Sequence, residues 1–342
     1  MNLLKRTMAL GLSLLLALSL TACGQKTEEP APQEETPVQE TPAEDPITTR
    51  IAALKGPTAM GMVKLMSDDP QSANGPMYDF TLAGAADEVT PALIKGDLDM
   101  ACVPANLASV LYNKTEGQIV TLAVNTLGVL YVVENGNAVT SMADLAGKTI
   151  VAAGKGSTPE YALRYLLSEN GIDPDTDVVI DWKSEHAECV AALASGAATI
   201  ALLPQPFVTV AQAKIDGLRM ALDLTAEWDA LDNGSGMITG VVVARKAFTE
   251  EHPTAVEAFL ADYAESVAWV NENTADAAAL ISQYGIIETA PVAEKALPHC
   301  NIVCITGSEM QAKLSGYLQV LFDAEPSSVG GALPGDDFYY GA

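Results

Sequence analysis

Residues 51–58 read Ile-Ala-Ala-Leu-Lys-Gly-Pro-Thr and residues 151–158 read Val-Ala-Ala-Gly-Lys-Gly-Ser-Thr, an offset of one hundred residues. The offset persists: Ala92-Leu93, Gly96, Ala101 and Pro104 recur as Ala192-Leu193, Gly196, Ala201 and Pro204. A chain that twice writes a glycine-containing strand-to-helix turn, and then a strand ending in proline, has built one α/β unit twice. Two such units place their strand-end loops across a cleft, where open α/β sheets take small ligands.

The N-terminus sets the location. Lys5 and Arg6 precede an apolar run from Met8 to Leu20, which is shorter than the roughly 20 residues a membrane span needs. Residues 1–22 therefore read as a signal peptide. The segment Leu20-Thr21-Ala22-Cys23 resembles the lipobox of bacterial lipoproteins, which implies acylation of Cys23 and anchoring at the extracytoplasmic face of the cell membrane. From Gly24 to Pro46 the chain is Pro-, Glu-, Thr- and Gln-rich with almost no apolar residues, so it reads as a disordered acidic stalk.

Charge excludes several partners. The whole chain carries −26; setting aside the leader's two basic residues and the stalk's net six negative charges leaves −22 on residues 47–342. A body that acidic is a poor nucleic-acid or anionic-membrane binder. Cys102 and Cys189 sit in apolar segments and read as small core residues. Cys300 and Cys304, in extended chain, would share a face but lie too far apart for a disulfide. His186, His252 and His299 are scattered, no spacing matches a metal site, and no cofactor motif occurs.

Strand and helix patterns alternate along the body, which predicts mainly parallel sheets flanked by helices. Thr58–Ser67 reads as one helix, and His252-Pro253 opens a long amphipathic helix to about Glu272. The helices after residue 246 have no counterpart in the second copy, so they are expected on the first lobe. That gives a discontinuous lobe 1 of residues 47–130 plus 237–342, a lobe 2 of residues 138–228, and a hinge at 131–137 and 229–236.

From Arg50 onward the chain resembles the solute-binding proteins of ABC importers in the nitrate, sulfonate, taurine and thiamine-pyrimidine (NMT1/THI5-like) group. The residues that carry the resemblance are Leu54-Lys55-Gly56-Pro57-Thr58, Gly96-Asp97-Leu98-Asp99, Val103-Pro104, Gly156-Ser157-Thr158, Leu203-Pro204-Gln205-Pro206 and Leu333 to Tyr340. The resemblance implies a two-lobe, type II periplasmic-binding fold, a monomer, a small-molecule solute, and an ABC permease with its ATPase as partners.

Lys55, Gly56 and Thr58 end the first strand and open a helix, whose unpaired N–H groups and positive dipole suit a carboxylate, sulfonate or carbonyl oxygen. An ordinary helix cap with Lys55 in solvent explains them equally. Gly156, Ser157 and Thr158 form the matching turn. Ser157 with Glu160 fits a capping box, a full structural explanation, while the resemblance implies that this loop closes over solute. Asn106 and Gln205 follow the two proline-ended strands and can each donate and accept, though Asn106 could merely cap its helix. Asn125, at the lobe boundary, is a polar contact implied by the resemblance. Met60 and Met62 read as core.

No Gly-x-Ser-x-Gly elbow, P-loop or His/Ser/Asp set appears, and the cysteine motif of the pyrimidine-synthesising relatives is missing, so the chain reads as a binder and not an enzyme. No arginine sits in either strand-end turn. Solutes rank as a pyrimidine-type vitamin precursor, then a sulfonate or taurine-like anion, then nitrate or bicarbonate. Two other readings remain: a sensor or partner-binding lipoprotein, and a same-fold enzyme akin to chorismate dehydratase.

Overall fold

The two copies of the repeat seed two different sheets. The structure, a computed structural model, describes residues 47–72 and 75–342; the leader, Cys23 and the acidic segment lie outside the described residues. The first copy supplies β1 (Thr49–Leu54), α1 (Pro57–Met60), α2 (Val63–Asp68), the ribbon β2 (Gln71–Ser72) and β3 (Gly75–Pro76), β4 (Tyr78–Ala83), α3 (Ala86–Lys95), β5 (Met100–Pro104), α4 (Ala105–Lys114) and β6 (Ile119–Leu127). After β7 (Leu130–Glu134), the second copy supplies β8 (Thr149–Ala153), α5 (Thr158–Glu169), β9 (Val179–Lys183), α6 (His186–Ala194), β10 (Ile200–Pro204), α7 (Phe207–Lys214), β11 (Arg219–Asp223) and α8 (Leu224–Asp229). The chain then returns as β12 (Ile238–Arg245), α9 (Lys246–Glu251), α10 (Pro253–Glu272), α11 (Thr274–Gln283), α12 (Ala290–Ala296), β13 (Ile302–Ile305) and α13 (Gly307–Ala324).

The six-stranded sheet runs β13-β6-β12-β5-β1-β4 and the five-stranded sheet β11-β7-β10-β8-β9. Apart from the added β13, the two orders correspond strand for strand. Each sheet has a parallel half built by its own repeat copy. Each also receives one antiparallel strand that crosses over from the other: β12 lies on β5 with Val242 opposite Cys102, and β7 lies on β10 with Val132 opposite Leu202. The sheets are thus mixed where the alternation predicts mainly parallel ones, because this exchange reverses the chain direction. Both exchanged strands are buried on two faces, which explains their uninterrupted apolar runs Val241-Val242-Val243 and Tyr131-Val132-Val133.

The sheets are joined at Gly128-Val129 and through residues 230–237. Residues 131–134, assigned from sequence to the hinge, are instead strand β7, held by ladder bonds to β10 and β11. The single helix expected over 58–67 is also broken, at Gly61-Met62. Ser266 of α10 donates to the Gly61 carbonyl (2.6 Å) and accepts from Leu65 N–H (3.1 Å), so a distant helix takes over bonds the local one would have made.

One charge cluster pins three strands together. Asp99, 3% exposed, accepts from the Arg50 backbone N–H and guanidinium and from Arg245 Nη2 at 2.7–3.0 Å. Arg50 lies on β1, Asp99 just before β5 and Arg245 at the end of β12, so the cluster clamps the β12-β5-β1 side of the sheet at the ends opposite the strand-end loops. Burial alone would raise the Asp99 carboxyl; the bonds from both arginines outweigh it and hold the group below its ordinary value.

A candidate solute site at the strand ends

The loops that follow β5 and β8 meet. Pro104 occupies the N-cap position of α4, so Asn106 is the second residue inside the helix and not its cap. Its side chain is fully buried. Asn106 Nδ2 donates to the Ser328 carbonyl (3.0 Å) and to the Gly156 carbonyl (3.5 Å), and its Oδ1 accepts from Thr158 Oγ1 (3.4 Å). One amide thereby ties the start of α4, on the six-stranded sheet, to the start of α5, on the five-stranded one. The first N–H groups of both helices have no intrahelical acceptor and carry the positive end of the helix dipole.

The capping box read from Ser157 and Glu160 forms differently. Ser157 Oγ donates to the Gly154 carbonyl (2.8 Å), and Glu160 Oε2 accepts from Gly156 N–H (2.6 Å), one residue earlier than the motif prescribes. Gly154 and Gly156 both adopt positive φ, and that bend carries the loop past Ser157. A carboxylate therefore already occupies an amide beside α5.

Thr58 and Asn125 form a second pair. Thr58 Oγ1 donates to the Leu54 carbonyl (2.9 Å), and its own carbonyl accepts from Asn125 Nδ2 (3.5 Å). Asn125 Oδ1 accepts from Thr126 Oγ1 (3.0 Å). Gly240 of β12 permits this approach: a Cβ there would stand 2.6 Å from both Asn125 Oδ1 and Thr58 Cγ2. Gly56, at the N-cap of α1 with φ 134°, is buried, while Lys55 is exposed.

Gln205 faces elsewhere. Its Oε1 accepts from Thr209 N–H (3.4 Å) and Oγ1 (2.9 Å), local bonds that keep the side chain along α7. Met60 and Met62 are fully buried, packed with α10. Of the sequence-predicted residues, the fold joins Asn106 with Gly156 and Thr158, and Thr58 with Asn125. It leaves Lys55 in solvent and turns Gln205 and the Ser157 hydroxyl to other partners.

Two neighbours, Ser328 and Tyr317, escaped the sequence reading. Ser328 lies 222 residues from Asn106, in a 3₁₀ turn at Pro326–Val329. Beside them Tyr161 has its hydroxyl near Ser327; burial and then Glu160 raise that phenol, and the Ser327 side chain opposes them. Tyr317 of α13, fully buried, aims its hydroxyl at Thr158 but completes no hydrogen bond. Burial pushes the Tyr317 phenol up, so it stays a neutral donor. Apart from Glu160, the side chains gathered around the two helix starts are neutral donors and acceptors.

The sequence model of one family, phosphonate ABC-transporter periplasmic substrate-binding proteins, matches residues 72–297. No curated protein matches the chain. Among solved structures, an ABC transporter protein from Parabacteroides distasonis superposes with a TM-score of 0.72 at 23% identity, covering 85% of this chain and 98% of that one. The periplasmic aliphatic sulphonate binding protein of Escherichia coli gives 0.68 at 19% identity, covering 84% and 96%. The periplasmic nitrate-binding protein of Synechocystis gives 0.55 at 16%, covering 72% and 68%. At these identities the likeness establishes the two-sheet fold.

Proposed function

The chain belongs to the phosphonate family of ABC-transporter periplasmic substrate-binding proteins, and from that premise we propose that it captures a small organic oxyanion, a phosphonate or a sulfonate, between its two sheet bodies and delivers it to an ABC permease. The observation that carries this reading is Asn106, whose one amide reaches the starts of both α4 and α5. Oxygens of a tetrahedral head group placed there would meet N–H groups and helix-dipole ends from both bodies at once, so binding and closure become the same event. Directed neutral donors must supply the affinity, since the body carries −22 and Glu160 adds a carboxylate at the site.

The bodies rotate about the two joins, Gly128-Val129 and residues 230–237, with lobe 1 formed by the six-stranded sheet and α9 to α13. Cys23 carries the lipid anchor that keeps the protein at the extracytoplasmic face. The pyrimidine-type precursors implied by the sequence resemblance rank behind the oxyanions, because the amide, hydroxyl and carbonyl groups gathered at Asn106 suit an oxygen-rich ligand.

Calorimetry on the full chain tests this with ethylphosphonate, ethanesulfonate, taurine, nitrate and a thiamine pyrimidine. The expected result is binding of a phosphonate or sulfonate, weakened at least tenfold (about 1.4 kcal/mol) in Asn106→Ala. Binding of the pyrimidine alone would overturn the solute class. Silence across the panel would favour a partner-binding role.

A further inference from the structure

A hollow of about 260 Å³ separates α7 of the five-stranded body from α12 and the 3₁₀ turn Leu297–His299 that follows it. Gln205, Thr209 and Met220 line it from one side, and Val292, Lys295 and His299 from the other. No lining side chain is acidic and two are basic, in a body whose net charge is −22. Nine basic residues of the body are spent in ion pairs; among the described residues Lys295 is in none. Gln205 is 1% exposed, and with its Oε1 committed to Thr209, its Nε2 has no acceptor among the described residues.

We propose that this hollow is a second anion site, distinct from the solute site at Asn106, that takes a small organic anion with an oxyanion head and a short apolar tail. Lys295 Nζ, His299 and Gln205 Nε2 face the head; Met220 and Val292 cover the tail. The volume lies below the roughly 300–1,000 Å³ of pockets for drug-sized ligands, which restricts the occupant to a few heavy atoms. Because the walls come from both bodies, an occupant favours the state in which they are in contact. By linkage it raises the affinity of any ligand held between the same bodies, and each ligand raises the other's affinity by one factor.

The imidazole signals of His299, assigned with His299→Gln, report occupancy in an NMR titration of the full chain with propylphosphonate and with butyrate. The expected result is a saturating shift at millimolar probe that Lys295→Glu, a surface change, weakens at least tenfold. The shift should persist in Asn106→Ala. Unmoved His299 signals, or equal binding by Lys295→Glu, overturn the second site whether or not the Gly156 and Thr158 amides respond. A His299 shift lost in Asn106→Ala overturns it too, since His299 then reports only closure driven from the first site. Movement of the Gly156 amide with a silent His299 leaves the proposed solute site standing while this inference falls.

Discussion

Asn106 and Asp99 show how differently one buried polar side chain can act. Asn106 is neutral and shares its bonds among a hydroxyl and two carbonyls from two segments, with two of its contacts at 3.4–3.5 Å. Bonds that long are easily exchanged for solute contacts, which suits a group that must release its partners when ligand arrives. Asp99 is charged and saturated by two arginines, and it lies away from the loops. Breaking such a buried pair from one side leaves uncompensated charge, worth 3–5 kcal/mol in closed sites. Here Arg50 is 40% and Arg245 25% exposed, so water screens the orphaned guanidinium groups, and Asp99→Asn is expected to cost about 2 kcal/mol. The sign of the pH effect follows from the depressed folded-state value. Stability from Asp99 is fully present above the unfolded carboxylate range, near 4, and is lost as pH falls through the lower folded value. Urea titrations should therefore show the gap between wild type and Asp99→Asn at neutral pH closing below about pH 4; a gap independent of pH would remove the charge from the explanation.

At the scale of elements, the site depends on how closely β12 lets two loops approach its surface. Gly240→Ala forces a methyl to within 2.6 Å of Asn125 Oδ1 and Thr58 Cγ2, and β12 is fixed on both sides by β5 and β6, so the loops must yield. The expected cost is roughly 1–3 kcal/mol, with weakened solute binding. Thermal melts and calorimetry on this variant check both, and unchanged affinity would detach the Thr58–Asn125 pair from the solute site. The repeat made β1, β4, β5 and their partners β8, β9 and β10 legible: β1, β5, β8 and β10 are local apolar runs with Gly or Pro at or just past their ends, and β4 and β9 stand one hundred residues apart between them. The lack of a counterpart in the second copy put residues 237–342, and so β12, with the first lobe; the pattern could not reveal that β7 joins the other sheet, since strand partners are chosen by long-range packing and not by the local pattern. The break between α1 and α2 was hidden for the same reason: Ser266 is 205 residues from Gly61. In the site, the strand-end position of Asn106 and Thr158 was readable from the matched turns. Ser328 and Tyr317 were not, because α13 and the turn after it lie outside the repeat and carry no motif. Gln205 holds the equivalent strand end, yet a threonine four residues along captures its side chain.

For the whole molecule, duplication suggests two lobes that could unfold separately, but the packing argues otherwise. One continuous apolar core contains Leu111, Val124 and Val241 of the six-stranded body together with Leu163, Leu166 and Trp228 of the five-stranded one. The long helix α13 links them: Tyr317 packs on Trp228 at 5.4 Å between ring centroids, and Trp228 on Tyr165 at 4.8 Å. Separating the bodies completely would bare this cluster, at about 25 cal/mol for every Å² exposed, so neither is expected to outlive the other. Tryptophan placement makes this measurable. Trp269 lies on α10, whereas Trp182 and Trp228 belong to the five-stranded body, so Trp269→Phe leaves fluorescence that reports one body while far-UV circular dichroism reports both. Coincident urea transitions are expected by the two probes, with one midpoint; fluorescence that melts apart from dichroism would show the lobes to be independent. Solute sharpens the test. A ligand gripped by both bodies, at about 100 times its Kd, adds roughly 2.7 kcal/mol to the single transition and moves both probes together. Only if the lobes melted separately would a ligand held by one body move that body's signal alone.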